Sequence, residues 1–197
     1  MCAICNFKLE FGIGHPFALS VAVASRHAIE AGLIEPIDTA EGALSAARKR
    51  MSAVDALNLP QARIESGHAV DDLLALPDFY VLLIENDTWG FFHATTEGFD
   101  PDIVPEMPDV TTTDEARRSN VVITSEAALR AWLSGRFDMS RAFDASLILI
   151  DAPDAAVALL KRMLSTADSV ATVSQVVAQN QRQAVGQNQL ELPVPDL

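Results

Sequence analysis

A chain of 197 residues has room for one domain of ordinary size, with a core that needs no disulfide or metal to hold it. Hydrophobic residues at 49% and charged residues at 21% exclude a disordered chain. With 14 Lys and Arg against 27 Asp and Glu, the net charge of −13 argues against phosphate-driven nucleic-acid binding and against docking on anionic lipid. No apolar run is long enough to span a bilayer, and no charged stretch leads into an apolar one as in a secretory leader. The cytoplasm is therefore the expected location.

In chain order, Pro16 suits the first turn of a helix running to Ala31. Leu19, Val23 and Ala24 make its apolar face, and Gly32 is the stop. A second helix is expected from Asp38, where Asp38 and Glu41 have capping-box spacing. Its stripe is Leu44, Ala47, Met51 and Val54, and it should end before Pro60. Arg48, Lys49 and Arg50 make a local basic patch on it, expected on the outer face or against acidic residues. A short third helix fits His68 to Leu76.

The pattern then changes. Phe79 to Ile84 is an uninterrupted apolar run of strand length. Glu85 to Thr88 supplies turn chemistry, and Trp89 to Ala94 reads as the return strand. From Glu85 to Glu115 there are nine acids and no Lys or Arg, with Pro101, Pro105 and Pro108 breaking regular structure. This reads as a solvated loop, since Asp100 and Asp102 lack the spacing of a calcium loop.

Val121 to Thr124 predicts a strand, and Ser125 the N-cap of a helix carrying Leu129, Trp132 and Leu133, with Gly135 as its stop. Phe137 and Met139 lead into Phe143. Leu147 to Ile150 predicts another strand, and Asp154 to Leu164 a helix with Val157, Leu160 and Leu164 on one side. In the tail, Val170, Val173, Val176 and Val177 form an apolar stripe. It predicts a C-terminal helix lying on the body or pairing two subunits, ended by Pro193 and Pro195.

This run of strand, helix ending Leu133-Ser134-Gly135, the segment Met139-Ser140-Arg141-Ala142-Phe143, strand and final helix resembles the C-terminal half of the sterol carrier protein type 2 family. Ser146 stands where the family has Gly, and Asp151-Ala152-Pro153-Asp154 replaces its Gly-Asp turn. The resemblance covers residues 120–164 well and 78–165 loosely. It implies an α/β domain of α+β layered type: a mostly antiparallel sheet, helices on one face, and an apolar tunnel between the layers. Residues 1–77 would be a helical N-terminal region packed on the same domain, 78–165 the sterol-carrier-like core, and 166–197 a C-terminal helix and loose tail.

Phe92, Trp132, Phe137, Met139, Phe143 and Met163 are large, adaptable side chains near the expected layer interface. They are the candidate ligand-binding residues for a lipid or other apolar small molecule. They could equally be plain core. No catalytic constellation is readable: no Ser-His-Asp set, and Gly12-Ile13-Gly14-His15 is too short for a dinucleotide fingerprint.

A different chemistry is offered by Cys2-Ala3-Ile4-Cys5, a CxxC. Two thiolates at that spacing hold a metal ion or form a redox disulfide, and His15 would complete a three-ligand set. Two small apolar thiols in a terminal segment are the plainer alternative. Loss of Met1 would leave Cys2 N-terminal, a start similar to that of class II glutamine amidotransferases, with Ala3 in place of their Gly. The leading expectation is non-catalytic binding of an apolar molecule. The alternatives are a metal or redox site at Cys2, Cys5 and His15, and an accessory protein that binds a partner.

Overall fold

The fold is seen in a computed structural model that describes residues 14–37, 43–85, 87–100, 108–114 and 117–168; the side chains of residues 43–47, 49 and 50 lie outside that description. The apolar run and its polar turn form the expected hairpin. Strands β1 (Phe79–Leu83) and β2 (Thr88–Phe92) pair antiparallel, Phe79 opposite Phe92 and Leu83 opposite Thr88. Two short strands, β3 (Ala94–Thr95) and β4 (Gly98–Phe99), make a separate ribbon. Strand β5 (Val121–Thr124) lies on the far side of β1 and runs parallel to it, with Tyr80 facing Val121 and Leu83 facing Thr124. Strand β6 (Ile148–Asp151) pairs antiparallel with β5. The four-stranded sheet has the order β2-β1-β5-β6 and is mixed, so the class is α+β.

Helices cover both faces of this sheet, where the family resemblance implies one. Side chains alternate across a strand. Phe79, Val81, Leu83 and Val122 point into the larger core, with helices α2 (Ala43–Gly67), α4 (Glu126–Leu133) and α5 (Met139–Asp144) and a sixth helix, α6, over 154–168. Leu82, Ile84, Val121 and Ile123 point the other way, onto Ala18, Val21 and Ala22 of helix α1 (Ala18–Glu30). All four residues of β5 are buried. A parallel pair that is apolar on both sides has to be covered on both sides. Helix α3 (Val70–Leu74) buries Leu73 in the larger core.

Two helices turn a different face inward from the one their larger apolar residues predict. In α1, Ala18, Val21, Ala22, Ser25 and Ala28 are buried, while Leu19 is 62% and Val23 is 47% exposed. The small residues face the sheet because the helix lies close against it: Ser25 Oγ donates to Ser125 Oγ at 2.8 Å, across the two elements. In α2, Met51 and Val54 are exposed, and the buried stripe is Ala53, Ala56, Leu57, Pro60 and Ile64. That stripe keeps helical spacing straight through Pro60, so the helix continues to Gly67 instead of ending before the proline. Burial along both sides of Pro60 compensates for the hydrogen bond that proline cannot donate. Asp38 and Glu41 lie outside the described residues, as do the tail valines and residues 101–107 of the acidic stretch.

The stop of α1 and the cap of α4 are as expected. Gly32 has φ 70°, and the Gly32 and Leu33 amides donate back to the Ile29 and Ala28 carbonyls. Only glycine takes that left-handed conformation without strain. Ser125 caps α4, its Oγ accepting from the Ala128 amide at 3.0 Å.

Val21→Asp and Leu19→Gln, two residues apart on α1, should separate cleanly. The first buries an unpaired carboxylate against β5 and should cost about 3 kcal/mol or more. The second changes an exposed position and should stay within about 0.5 kcal/mol of the parent. Urea unfolding of both variants checks the face assignment.

Candidate functional site

Between the sheet and the α2–α4–α6 layer lies a small cavity of about 20 Å³, enough for roughly one water. Phe79, Val81, Phe92 and Val122 form its floor, Pro60 and Ile64 one wall, Leu129, Trp132 and Met139 another, and Leu164 of α6 its cover. Two liners carry polar groups, and both groups are tied elsewhere. The Thr124 hydroxyl donates to the Leu147 carbonyl at 2.9 Å, and the Trp132 indole N–H donates to Asp168. What remains facing the cavity is apolar. Phe92 stacks on Phe79 with ring centroids 4.7 Å apart.

Of the six candidate ligand-binding residues, Phe92, Trp132 and Met139 line this space. Phe137 and Met163 are buried in the same core without lining it. Phe143 is half-buried, with the Lys161 ammonium 5.3 Å from its ring centroid. A drug-sized ligand needs several hundred Å³. In the arrangement described, the interlayer space is far smaller than that.

The cavity is clamped from one side by a polar junction. Asp168, in the last described turn of α6, accepts from Trp132 Nε1 with Oδ1 and from the Met139 amide with Oδ2, the latter at 2.7 Å. Arg63 of α2 donates from Nε to the Ala167 carbonyl at 3.1 Å and from Nη1 to the Trp132 carbonyl at 3.0 Å. Its guanidinium stands 4.4 Å from the Trp132 ring centroid. Burial lowers the Arg63 pKa from its ordinary value, and the Asp168 charge opposes that shift.

A second polar group gathers where the parallel strands end. The Glu85 carboxylate, just past β1, accepts from the amides of Glu126 and Ala127 at 2.7 and 3.2 Å and so caps α4 alongside Ser125. Glu126 is fully buried. Its Oε1 accepts from Ser52 Oγ at 2.6 Å and Arg130 Nε at 2.8 Å, and its Oε2 has no partner among the described residues. Burial pushes the Glu85 pKa up to about 7; the backbone amides oppose this, and the Glu126 charge adds to it. Glu85 can hold a proton near neutrality.

His15 is buried on the α1 side. Its Nδ1 accepts from the Phe17 amide at 3.1 Å, so the ring proton sits on Nε2 and is donated to Asp151 at 3.0 Å. Arg118 holds the other oxygen of Asp151 at 3.2 Å. Burial lowers the His15 pKa, and the neutral ring is the form this network uses. Both ring nitrogens are therefore occupied. As a metal ligand, His15 would first have to give up one of these bonds. Cys2 and Cys5 lie outside the described residues. Among those described, no group of three or more His, Cys, Asp or Glu is placed to hold a metal ion.

Comparison with known proteins gives no matching family model, no matching curated protein and no matching solved structure. No helix among the described residues is long and apolar enough to cross a membrane.

Sequence reasoning missed Arg63, Asp168, Glu85 and Glu126. Arg63 precedes a core residue, Ile64, and Glu126 follows an N-cap, positions where a charged side chain normally faces water. Glu85 counted as turn chemistry, although its place directly after a buried strand was a usable signal.

The stabilising state of Glu85 is the protonated one, because its pKa is raised on folding. Its contribution is present below about pH 4.5 and fades as pH rises to about 7. Glu85→Gln should remove that pH-dependent part. The stability difference, variant minus wild type, should rise with pH across this window and level off above it, as read by urea unfolding at a series of pH values. A pH-independent difference would place the Glu85 proton outside the folding equilibrium.

Proposed function

We propose that the protein binds a small apolar molecule between its sheet and its α2–α4–α6 layer, without catalysis. The observation that carries this reading is the cavity itself. It has wholly apolar facing groups, three of the expected ligand-binding residues in its lining, and Leu164 of α6 among its liners. The hydrophobic effect would supply the affinity, at roughly 25 cal/mol per Å² of apolar surface buried. Binding requires the cavity to widen well beyond this volume. The succession of β5, α4, α5, β6 and α6 supports the sterol-carrier-type reading of this half of the chain. The helix on the second face of the sheet departs from it.

A second reading, an accessory protein that docks a partner, has one specific observation in its favour. The large hydrophobic side chains exposed on the described surface, among them Leu19, Val23, Met51, Val54, Leu59 and Leu74, all belong to the helical N-terminal region. Exposed apolar helix faces of this kind mark contact surfaces. The tail valines expected to pair two subunits lie outside the described residues.

The binding reading is tested with the protein's own fluorescence. Of its two tryptophans, Trp132 lines the cavity and Trp89 does not. In Trp89→Phe, titration with dibromostearic acid should quench Trp132 saturably, stearic acid should compete, and native mass spectrometry should show one fatty acid per chain. Quenching that never saturates, or none at all, overturns the reading.

A further inference from the structure

We propose that α6 is a lid over the interlayer cavity and that Asp168 is its latch, an inference that rests on the apolar-binding reading above. The floor of the cavity is the hydrogen-bonded sheet, and its walls are helices whose stripes run deep into the core. The cover, α6, buries Leu160, Met163, Leu164 and Ala167 in the same core. Helix α6 is joined to β6 through residues 152–153, and in its last described turn it meets the body through Ala167 and Asp168.

The bonds at that far end join separate parts of the fold. The Asp168 carboxylate accepts from the Trp132 indole, at the end of α4, and from the Met139 amide, at the start of α5. One residue earlier, the Ala167 carbonyl accepts from Arg63 of α2. Trp132 and Met139 are both cavity liners, and so is Leu164, one turn before Asp168. The latch therefore holds the lid and, with the same two oxygens, two residues of the lining. Releasing the carboxylate removes two of the three hydrogen bonds described there, including the one that fixes the Trp132 indole. Between hinge and latch, α6 is held by the apolar contacts of Leu160, Met163 and Leu164. An apolar ligand entering beneath the helix can replace those contacts in kind.

This geometry separates two effects. The latch governs how fast a ligand enters and leaves, while the apolar lining governs how tightly it is held. In the Trp89→Phe background, Asp168→Ala should bind dibromostearic acid with an association rate about tenfold faster, the scale of losing hydrogen bonds to a charged group. Amide hydrogen exchange should speed up across residues 154–168 and stay unchanged in β1 and β5. Asp168→Asn keeps the shape and one acceptor. It should fall between the two proteins, and it carries the test if the alanine variant does not fold.

Saturable quenching at an unchanged rate, with unchanged exchange over 154–168, overturns the latch and leaves the binding reading standing. Exchange that rises equally in the sheet also overturns the latch, because Asp168 would then be a general prop of the fold. Absence of quenching in both proteins overturns the binding reading and the lid with it.

Discussion

The parallel pairing of β1 with β5 organises the rest of the molecule. Two parallel strands need a crossover between them, and here it carries the β2 return strand, the β3–β4 ribbon and the acidic stretch before the chain reaches Val121. The pairing buries both sides of both strands. It thus requires α1 on one face and the thicker α2–α4–α5–α6 layer on the other. It also brings the carboxyl ends of two strands side by side. That is why Glu85, distant in sequence from Glu126, reaches the first amides of α4, and why one edge of the sheet collects two acids that the chain otherwise keeps apart.

Much of the local structure was legible. The edges of β1 and β5, the Ser125 cap and the Gly32 stop all follow from local chemistry that needs no knowledge of the partner. The strand pairing was not legible, because residues 120–124 look alike whether they join β1 parallel or antiparallel. The helix faces misled for a definite reason. Apolar patterning gives weight to large side chains, so Leu19, Val23, Met51 and Val54 marked the expected faces. The structure instead buries alanines and serine where α1 approaches closely, and carries the α2 stripe across a proline. A close approach between elements is a tertiary fact. It shows in sequence only as a run of small residues, which reads as weak amphipathicity.

The candidate site was legible by half. Phe92, Trp132 and Met139 stood out as large groups at the layer interface, and they do line the cavity. The charged residues that clamp and flank it did not stand out. A buried Arg or Glu is tolerated only when its partners are supplied by distant elements, and those partners are invisible along the chain. Arg63 needs two backbone carbonyls, one near the end of α4 and one near the end of α6. Glu126 needs Ser52 and Arg130 on the same oxygen.

The capping of α4 by Glu85 bears on what this sheet edge can accept. In open α/β sheets, the helix that follows a parallel strand offers its first amides to the phosphate of a nucleotide or sugar. Here the amides of Glu126 and Ala127 are already taken by a carboxylate from the chain itself, and that of Ala128 by a serine hydroxyl. The fold carries its own carboxyl group in the seat a phosphate would use, with a second one buried behind it. A phosphorylated ligand would have to displace that carboxyl group and bring its own charge against the second, so this end of the sheet disfavours the nucleotides that its topology would otherwise suit.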